Sequence, residues 1–503
     1  MPGMASPELP VPDGLVLRPF RGVRFAVDDP AKVTSPPYDL ISDGDVQSLL
    51  DAHPNNVVRL ILPRTPTQPK DSGPPDPPPP LDASARPAVG ARSLDASEAP
   101  ADGSRSPAHG ASAHPGASTA QAVPGPGASA QPAAPHPPGR PLDGVAPNAR
   151  YGQARDTLRT WLDTGVLTRD PAPAIYVYEQ AGPGVMQRGL IGDIGLTAPE
   201  QHVILPHENV MPGPVADRLA LMSTTQANLE PIFLLYDGGG PASHLVDTVA
   251  STRSPLVEAK TDDGVRHRLW AVTATEEIGL INADLRDRQA LIADGHHRYA
   301  TYRVLQRQEH AAGRTDGPWD FGLALLVDST AYPPDLKAIH RVIPSLPLDE
   351  AVTRARGSWR IRDFTTLAEG LAALDSTTEP AFLLAGDSGA SHLLSDPDPL
   401  QLARAMPTDR SDRWNALNTS VLTEFVLPRV WGMQDDEQAV RIVHHDAQAA
   451  VRQAALSGGT AVILKPLAVE AVLAVAAGGE RVPRKSTSFG PKPRTGLVLR
   501  TFV

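Results

Sequence analysis

The sequence predicts an α+β chain in which a mixed N-terminal domain carries a long disordered insert and is followed by a second α/β region. Three observations predict it. Short β-rich runs dominate the first part, helical patterns alternate with a few strands after Ile343, and large apolar residues nearly vanish between about Thr65 and Asn148. The expected units are 13–64 with 149–346, the insert 65–148, and a C-terminal region 347–503.

The strand-like runs are "GLVLRPFRGVRF", "NNVVRLIL", "AIYVYEQ", "RGLIGDIGL", "HVILPHE", "EPIFLLYD" and "RHRLWAVT". Helices punctuate them. Ser42, with Asp45 three residues on, has the spacing of a capping box and opens a helix through "DVQSLLDA". "YGQARDTLRTWLDTGVLTRD" reads as an amphipathic helix ending near Gly165, and "ADRLALMSTTQ" as another. The insert between them is built of Pro, Ala, Gly and Ser, which bury too little to offset the entropy of ordering. Later strands are "EPAFLLAG", "AVRIVHH" and "TAVILK", and no repeat of fixed period is present.

The 503 residues carry a formal net charge of -11 and no cysteine, which excludes disulfides, thiol nucleophiles and cysteine metal sites. The first residues have neither the basic nor the apolar part of a secretory signal, so a cytoplasmic location is expected. "AVILKPLAVEAVLAVAAGG" is interrupted by Lys465, Pro466 and Glu470 and falls short of a membrane span. The acidic balance argues against a nucleic-acid partner, because backbone binding needs clustered Lys and Arg.

The chemistry concentrates at "LIADGHHRYATYRVL", where an apolar strand gives way to a helix. Unpaired amides of a first helical turn carry partial positive charge, and Gly295 lets a ligand approach them. Arg298 adds a forked donor suited to phosphate, and His296 and His297 add donors or a proton carrier. The same residues also suit a plain helix cap. Adjacent residues on a helix point about 100° apart, so the two histidines do not form a shared metal site. Mg2+ carried in with a nucleotide, on Asp294 or Glu208, is the more natural cation.

Other candidates are weaker. His207 and Glu208 end a strand, where a general base or a Mg2+ ligand would be well placed, though a loop pair bonded to neighbouring backbone is the better reading of an isolated His-Glu. Arg218 is a candidate phosphate contact on its helix. His340 and Arg341 sit in a strand and point to opposite faces, so one alone can face a pocket, with Arg341 as the candidate. "SPPYDLIS" is a rigid turn presenting Tyr38 and Asp39, and Asp39 joins Glu208 and His297 as a candidate acid or base. Arg484, Lys485, Lys492 and Arg494 could clamp an anion or form a solvated tail. "VHHDA" at Val443 suits capping.

Six landmarks in order, "SPPYDLIS", "NVVRLILP", "LPHENVMPGPVADRLAL", "IADGHHRYAT", "HRV" and "RKSTSFGPKPRTGLVLR", make the chain resemble the domain-of-unknown-function 1015 family. Through its Gly-x-x-Arg helix start the family is similar to the ParB/sulfiredoxin-like superfamily, which includes free serine kinases. The resemblance implies a ParB/sulfiredoxin-like N-terminal domain and a nucleotide phosphate site at Gly295, His296, His297 and Arg298. It also implies ATP or ADP with Mg2+ as ligands and phosphoryl transfer to a small hydroxyl compound such as free serine. Two departures stand out: Ala300 occupies the usual glutamate position and Val215 an expected lysine position. They favour the alternative of a non-catalytic, nucleotide-responsive module. A DNA-binding regulator is a third option, opposed by the charge and by the lack of a helix-turn-helix. Acceptor, nucleotide base and oligomeric state stay open, with a homodimer among the options.

Overall fold

The computed structural model describes residues 9–64, 149–378 and 380–502, so the expected insert at 65–148 lies outside the described residues. The chain is an α+β protein built on two large sheets. The first sheet has nine strands: β1 (Leu17–Arg18), β2 (Ile175–Gly182), β3 (Val185–Gly195), β4 (Ile204–Leu205), β5 (Ile232–Tyr236), β6 (Val257–Lys260), β7 (Arg266–Val272), β8 (Ala290–Asp294) and β9 (Phe321–Asp328). Their order is β4-β8-β5-β9-β3-β2-β7-β6, with β1 added beside β3. Pairing is mixed: β8 with β4 and β9 with β5 run parallel, the rest antiparallel.

The central strands are apolar on both faces because both are covered. In β5, Ile232, Leu234 and Tyr236 join one core while Phe233 and Leu235 join the core on the opposite face. Each such fully buried side chain contributes about 1.5–3 kcal/mol of transfer free energy. Around the sheet lie helices α1 (Asp43–Ala52), α2 (Val58–Ile61), α3 (Ala149–Asp163), α4 (Pro212–Thr225), α5 (Pro241–Thr252), α6 (Thr275–Leu285) and α7 (His296–Ala311). In α3 the buried residues are Tyr151, Ala154, Leu158 and Trp161, the spacing of one helix face.

The second sheet has six strands: β10 (Ile339–Ile343), β11 (Arg360–Phe364), β12 (Phe382–Ala385), β13 (Ser391–Ser395), β14 (Arg441–His444) and β15 (Thr460–Ile463). Their order is β11-β13-β12-β15-β10-β14, and every pairing is antiparallel. Residues after Leu464 then return to the first sheet. Val482 N donates to His207 O, Ser35 and Thr495 form a bridge, and Arg500–Thr501 pairs with Ala227–Asn228. Arg500 Nε meets the buried Asp193 carboxylate at 2.6 Å and locks this return in place.

Two local outcomes are instructive. Ser42 caps α1 as expected: its Oγ accepts from Asp45 N, and Asp45 Oδ2 accepts from Ser42 N. Ser42→Ala is expected to cost about 1 kcal/mol in urea unfolding, and a change below a few tenths would mean that the cap carries no weight. By contrast, "NNVVRLIL" is not a strand. Val58–Ile61 is a helical turn, because Asn56 Oδ1 accepts from Val58 N while its amide donates to the carbonyls of Lys32 and Thr34. A short apolar run fits a buried strand or a buried turn alike, and here the asparagine decides.

Candidate functional site

The site is built where β8 hands over to α7. The register of β8 against β5 shifts between Ile292 and Asp294, a bulge that re-aims the carboxylate of Asp294. Gly295 follows at φ 92°, a left-handed conformation that a Cβ would strain, and a Cβ there would also stand 3.0 Å from Ile232 Cγ2. It is the N-cap of α7 with no side-chain cap. Among the described residues, the amides of His296, His297 and Arg298 have no hydrogen-bond partner. The 16-residue helix α7 therefore begins with open donors.

Arg298 is placed differently from expectation. It is buried, NH1 donates to Pro231 O, and NH2 donates to Asp294 Oδ2 at 2.6 Å. NH1 and NH2 are thus used inside the chain, where Arg298 braces the turn, while its buried Nε has no hydrogen-bond partner among the described residues. Its guanidinium also faces the Tyr38 ring from 5.9 Å, with Arg218 facing the same ring from 4.6 Å. Arg218 is likewise internal: NH1 donates to Ile61 O and NH2 bonds Asp217 at 2.5 Å. The buried Glu230 completes this core by accepting from Tyr38 N at 3.0 Å and from Thr495 Oγ1 at 3.2 Å.

Both histidines hold the loop after β4. His207 N donates to His296 Nε2 at 3.3 Å, and Met211 N donates to His297 Nε2 at 3.0 Å. Each acceptor nitrogen must be unprotonated, which leaves Nδ1 to carry the proton of a neutral ring. His296 Nδ1 lies 3.8 Å from Glu208 Oε2. Thr487 Oγ1 donates to Glu208 Oε1 at 2.9 Å, so it accepts from His207 Nε2 at 2.8 Å. Burial raises the Glu208 pKa, against Thr487 and Lys485, which lower it.

Asp39 and Asp294 meet at Lys492. Its ammonium lies 2.6 Å from Asp294 Oδ1 and also binds Asp39 Oδ2. Burial pushes the Asp39 pKa up, but Lys492 and then Arg298 outweigh it and hold the carboxylate below its ordinary range. Lys492 itself is depressed by burial and raised on balance by Asp294 and Asp39. Lys485 is exposed at a φ of 52°, a left-handed conformation unusual for a residue with a side chain. Arg341 holds it there. It is 1 % exposed, and NH2 donates to the carbonyls of Arg484 and Lys485 at 3.1 and 2.9 Å. The arginine expected at a ligand thus positions a lysine that faces His297 and Glu208 electrostatically.

Lys492, Lys485, Thr487 and Glu230 are what sequence reading undervalued. The signal was the basic, hydroxyl-rich "RKSTSFGPKPR", whose return over 450 residues to Asp39 no local pattern reveals. His340 and Arg341 are both buried, with Leu464 N donating to His340 Nδ1 at 3.3 Å. Asp446 caps its helix by accepting from Ala449 N, as expected. Beside α7 runs an open cleft of about 490 Å3 lined by Glu208, Val215, Ala300, Arg303, Arg307 and Arg481.

The buried histidines make stability pH-dependent. His207 titrates at about 3 against an ordinary 6.5, mainly through burial and secondarily through Arg481. The unfolded chain therefore binds more protons between these values. The contribution is complete above about pH 6.5 and is lost as pH falls toward 3, at up to about 1.4 kcal/mol per pH unit. Urea unfolding at a series of pH values should show this slope, and His207→Asn should flatten it; an equal slope in both chains would show that His207 does not cause it.

The model of the family described as "Protein of unknown function (DUF1015)" matches residues 17–75 and 136–420. No curated protein matches the chain. Among solved structures, a variant of a free serine kinase in complex with AMP is 12 % identical, over 60 % of this chain and 87 % of that one, with a TM-score of 0.31. SbnI with C-terminal truncation from Staphylococcus aureus is 12 % identical over 61 % and 85 %, with a TM-score of 0.31. A conserved hypothetical protein from Pyrococcus furiosus is 13 % identical over 60 % and 90 %, with a TM-score of 0.29. Among the described residues, no helix is long and apolar enough to cross a membrane.

Proposed function

The chain belongs to the DUF1015 family, and from that premise we propose that it binds a nucleoside polyphosphate at the start of α7 and transfers a phosphoryl group to a small hydroxyl compound. One observation carries the reading. Open first-turn amides follow a left-handed glycine, and the carboxylate just before that glycine, Asp294, holds the ammonium of Lys492 together with Asp39. Helix amides and a lysine are the parts that neutralise phosphate charge.

In this reading the β- or γ-phosphate of ADP or ATP sits against the amides of His296, His297 and Arg298. Lys492 and Lys485 neutralise its charge. Asp39, ionised, accepts the proton of the acceptor hydroxyl as the acceptor oxygen attacks the terminal phosphorus and the bridging P–O bond breaks, releasing AMP from ADP or ADP from ATP. The His297 ring, with Nε2 committed to Met211, would donate from Nδ1 to a phosphate oxygen. Arg298, Arg218 and Arg341 act as braces. A bound metal fits poorly: Asp294 is neutralised by Arg298 and Lys492, burial favours protonated Glu208, and no cluster of three or more metal-binding side chains exists among the described residues.

The test is calorimetric titration of the full chain with ADP, ATP and AMP, followed by incubation with free amino acids and mass spectrometry for phosphorylated product. The reading expects ADP or ATP to bind more tightly than AMP and a product to form. Absence of polyphosphate binding would overturn it. Tight binding without product would favour the second reading, a nucleotide-responsive module without turnover. The aliphatic Ala300 in the wall of the adjoining cleft supports that second reading.

A further inference from the structure

The cleft along α7 holds an imbalance of charge. Arg303 and Arg307 stand one turn apart on the same helix face, where like charges repel. Neither has a hydrogen-bond or ion-pair partner among the described residues, although many other arginines of the chain do. Arg481 stands in the same cleft, with one nitrogen bonded to Pro206 O. Burial lowers the pKa of Arg303, and Arg307 lowers it further, against the opposing effects of Tyr299 and Glu200, neither of which forms a hydrogen bond or ion pair with it. Glu208, the carboxyl of the cleft, is pushed by burial toward its neutral form. Apart from Asn209 and His296 the remaining wall is mainly apolar, and Val210 and Met211 are 41 % and 48 % exposed at its edge.

Three guanidinium groups over an apolar wall make a site for an organic anion, not for a bare ion. We propose that this cleft binds a small organic anion with an apolar body, its carboxylate or phosphate held by Arg303, Arg307 and Arg481 and its body against Val215 and Val304. At about 490 Å3 it accommodates a ligand well beyond the size of serine. The cleft shares Glu208 and His296 with the start of α7. That the anion is the phosphoryl acceptor rests on the proposed function; that the cleft binds it does not.

The experiment titrates the full chain with phenyl phosphate, phenylacetate, benzyl alcohol and phenethylamine, and separately with ADP. Both anions are expected to bind, and the neutral and cationic probes are expected to bind at least about tenfold more weakly. R303Q/R307Q, on the outer face of α7, should weaken the better anion by about tenfold or more while leaving ADP affinity within about twofold. Phenyl phosphate favoured over phenylacetate would identify a phosphorylated ligand, and the reverse order a carboxylate. Equal affinity for all four probes, or anion binding unchanged by R303Q/R307Q, would overturn the proposal. Loss of ADP binding in R303Q/R307Q would also overturn it, because the cleft would then belong to the nucleotide. Failure of ADP to bind the unaltered chain, with the anions still bound and arginine-dependent, would remove the nucleotide reading alone and leave the anion cleft standing.

Discussion

Replacing Arg298 by methionine is expected to lower the free energy of unfolding by about 3–5 kcal/mol, because it takes from the buried Glu230 the stronger of its two compensating guanidinium groups and leaves Asp294 with Lys492 alone. The methionine fills most of the volume, so the loss is one of charge and hydrogen bonds more than of packing. Pro231 O would also lose its donor, and Tyr38 one of the two guanidinium groups facing its ring. Burial already raises the pKa of Glu230, and Arg298 is the first of the groups that lower it. Removing that arginine drives Glu230 further toward protonation, so the variant should regain part of its stability at acidic pH relative to the unaltered chain. Urea unfolding at neutral pH measures the loss. A change under about 1 kcal/mol would show that the guanidinium is not the brace the structure makes it.

The second large effect belongs to Lys492. Lys492→Ala is expected to weaken ADP binding by about tenfold to a hundredfold, the weight of a hydrogen bond to a charged group. The substitution also frees Asp39, and leaves Asp294 with Arg298 alone, to repel the incoming phosphate. Raised salt should weaken binding in the unaltered chain more than in the variant, since one screened attraction is gone. Lys492→Arg should restore much of the affinity by keeping the charge. Equal affinity in all three chains would remove Lys492 from the site.

Much of the fold was legible because its strands are long and apolar or strictly placed. "EPIFLLYD" and the apolar run of "LIADG" fall on β5 and β8, and the Ser42 box opens α1. "NNVVRLIL" misled because an Asn side chain, not hydrophobic period, chooses a helical turn there. At the site, the strand-to-helix junction and its glycine were readable locally. What an arginine faces was not. Arg298, Arg218 and Arg341 look alike in sequence to ligand-binding arginines, yet carbonyls at Pro231, Ile61 and Arg484 each take a terminal N–H, and Nε of Arg298 and Arg341 stays buried without a partner among the described residues. Those carbonyls come from segments 67 to 157 residues away, and the lysine that replaces Arg298 at the mouth of the site lies 453 residues from Asp39.

The central claim is that the first-turn amides of α7 receive a polyphosphate. Titrating ADP into the full chain labelled with 15N-histidine tests it most directly, with the His296 and His297 resonances assigned through His296→Gln and His297→Gln. The account predicts saturable binding in which these two amides show the largest downfield shifts of all the histidines, as expected for donors that gain an anionic acceptor. Saturable binding that leaves both amides unmoved while other histidines shift would contradict it, as would no binding at millimolar ADP.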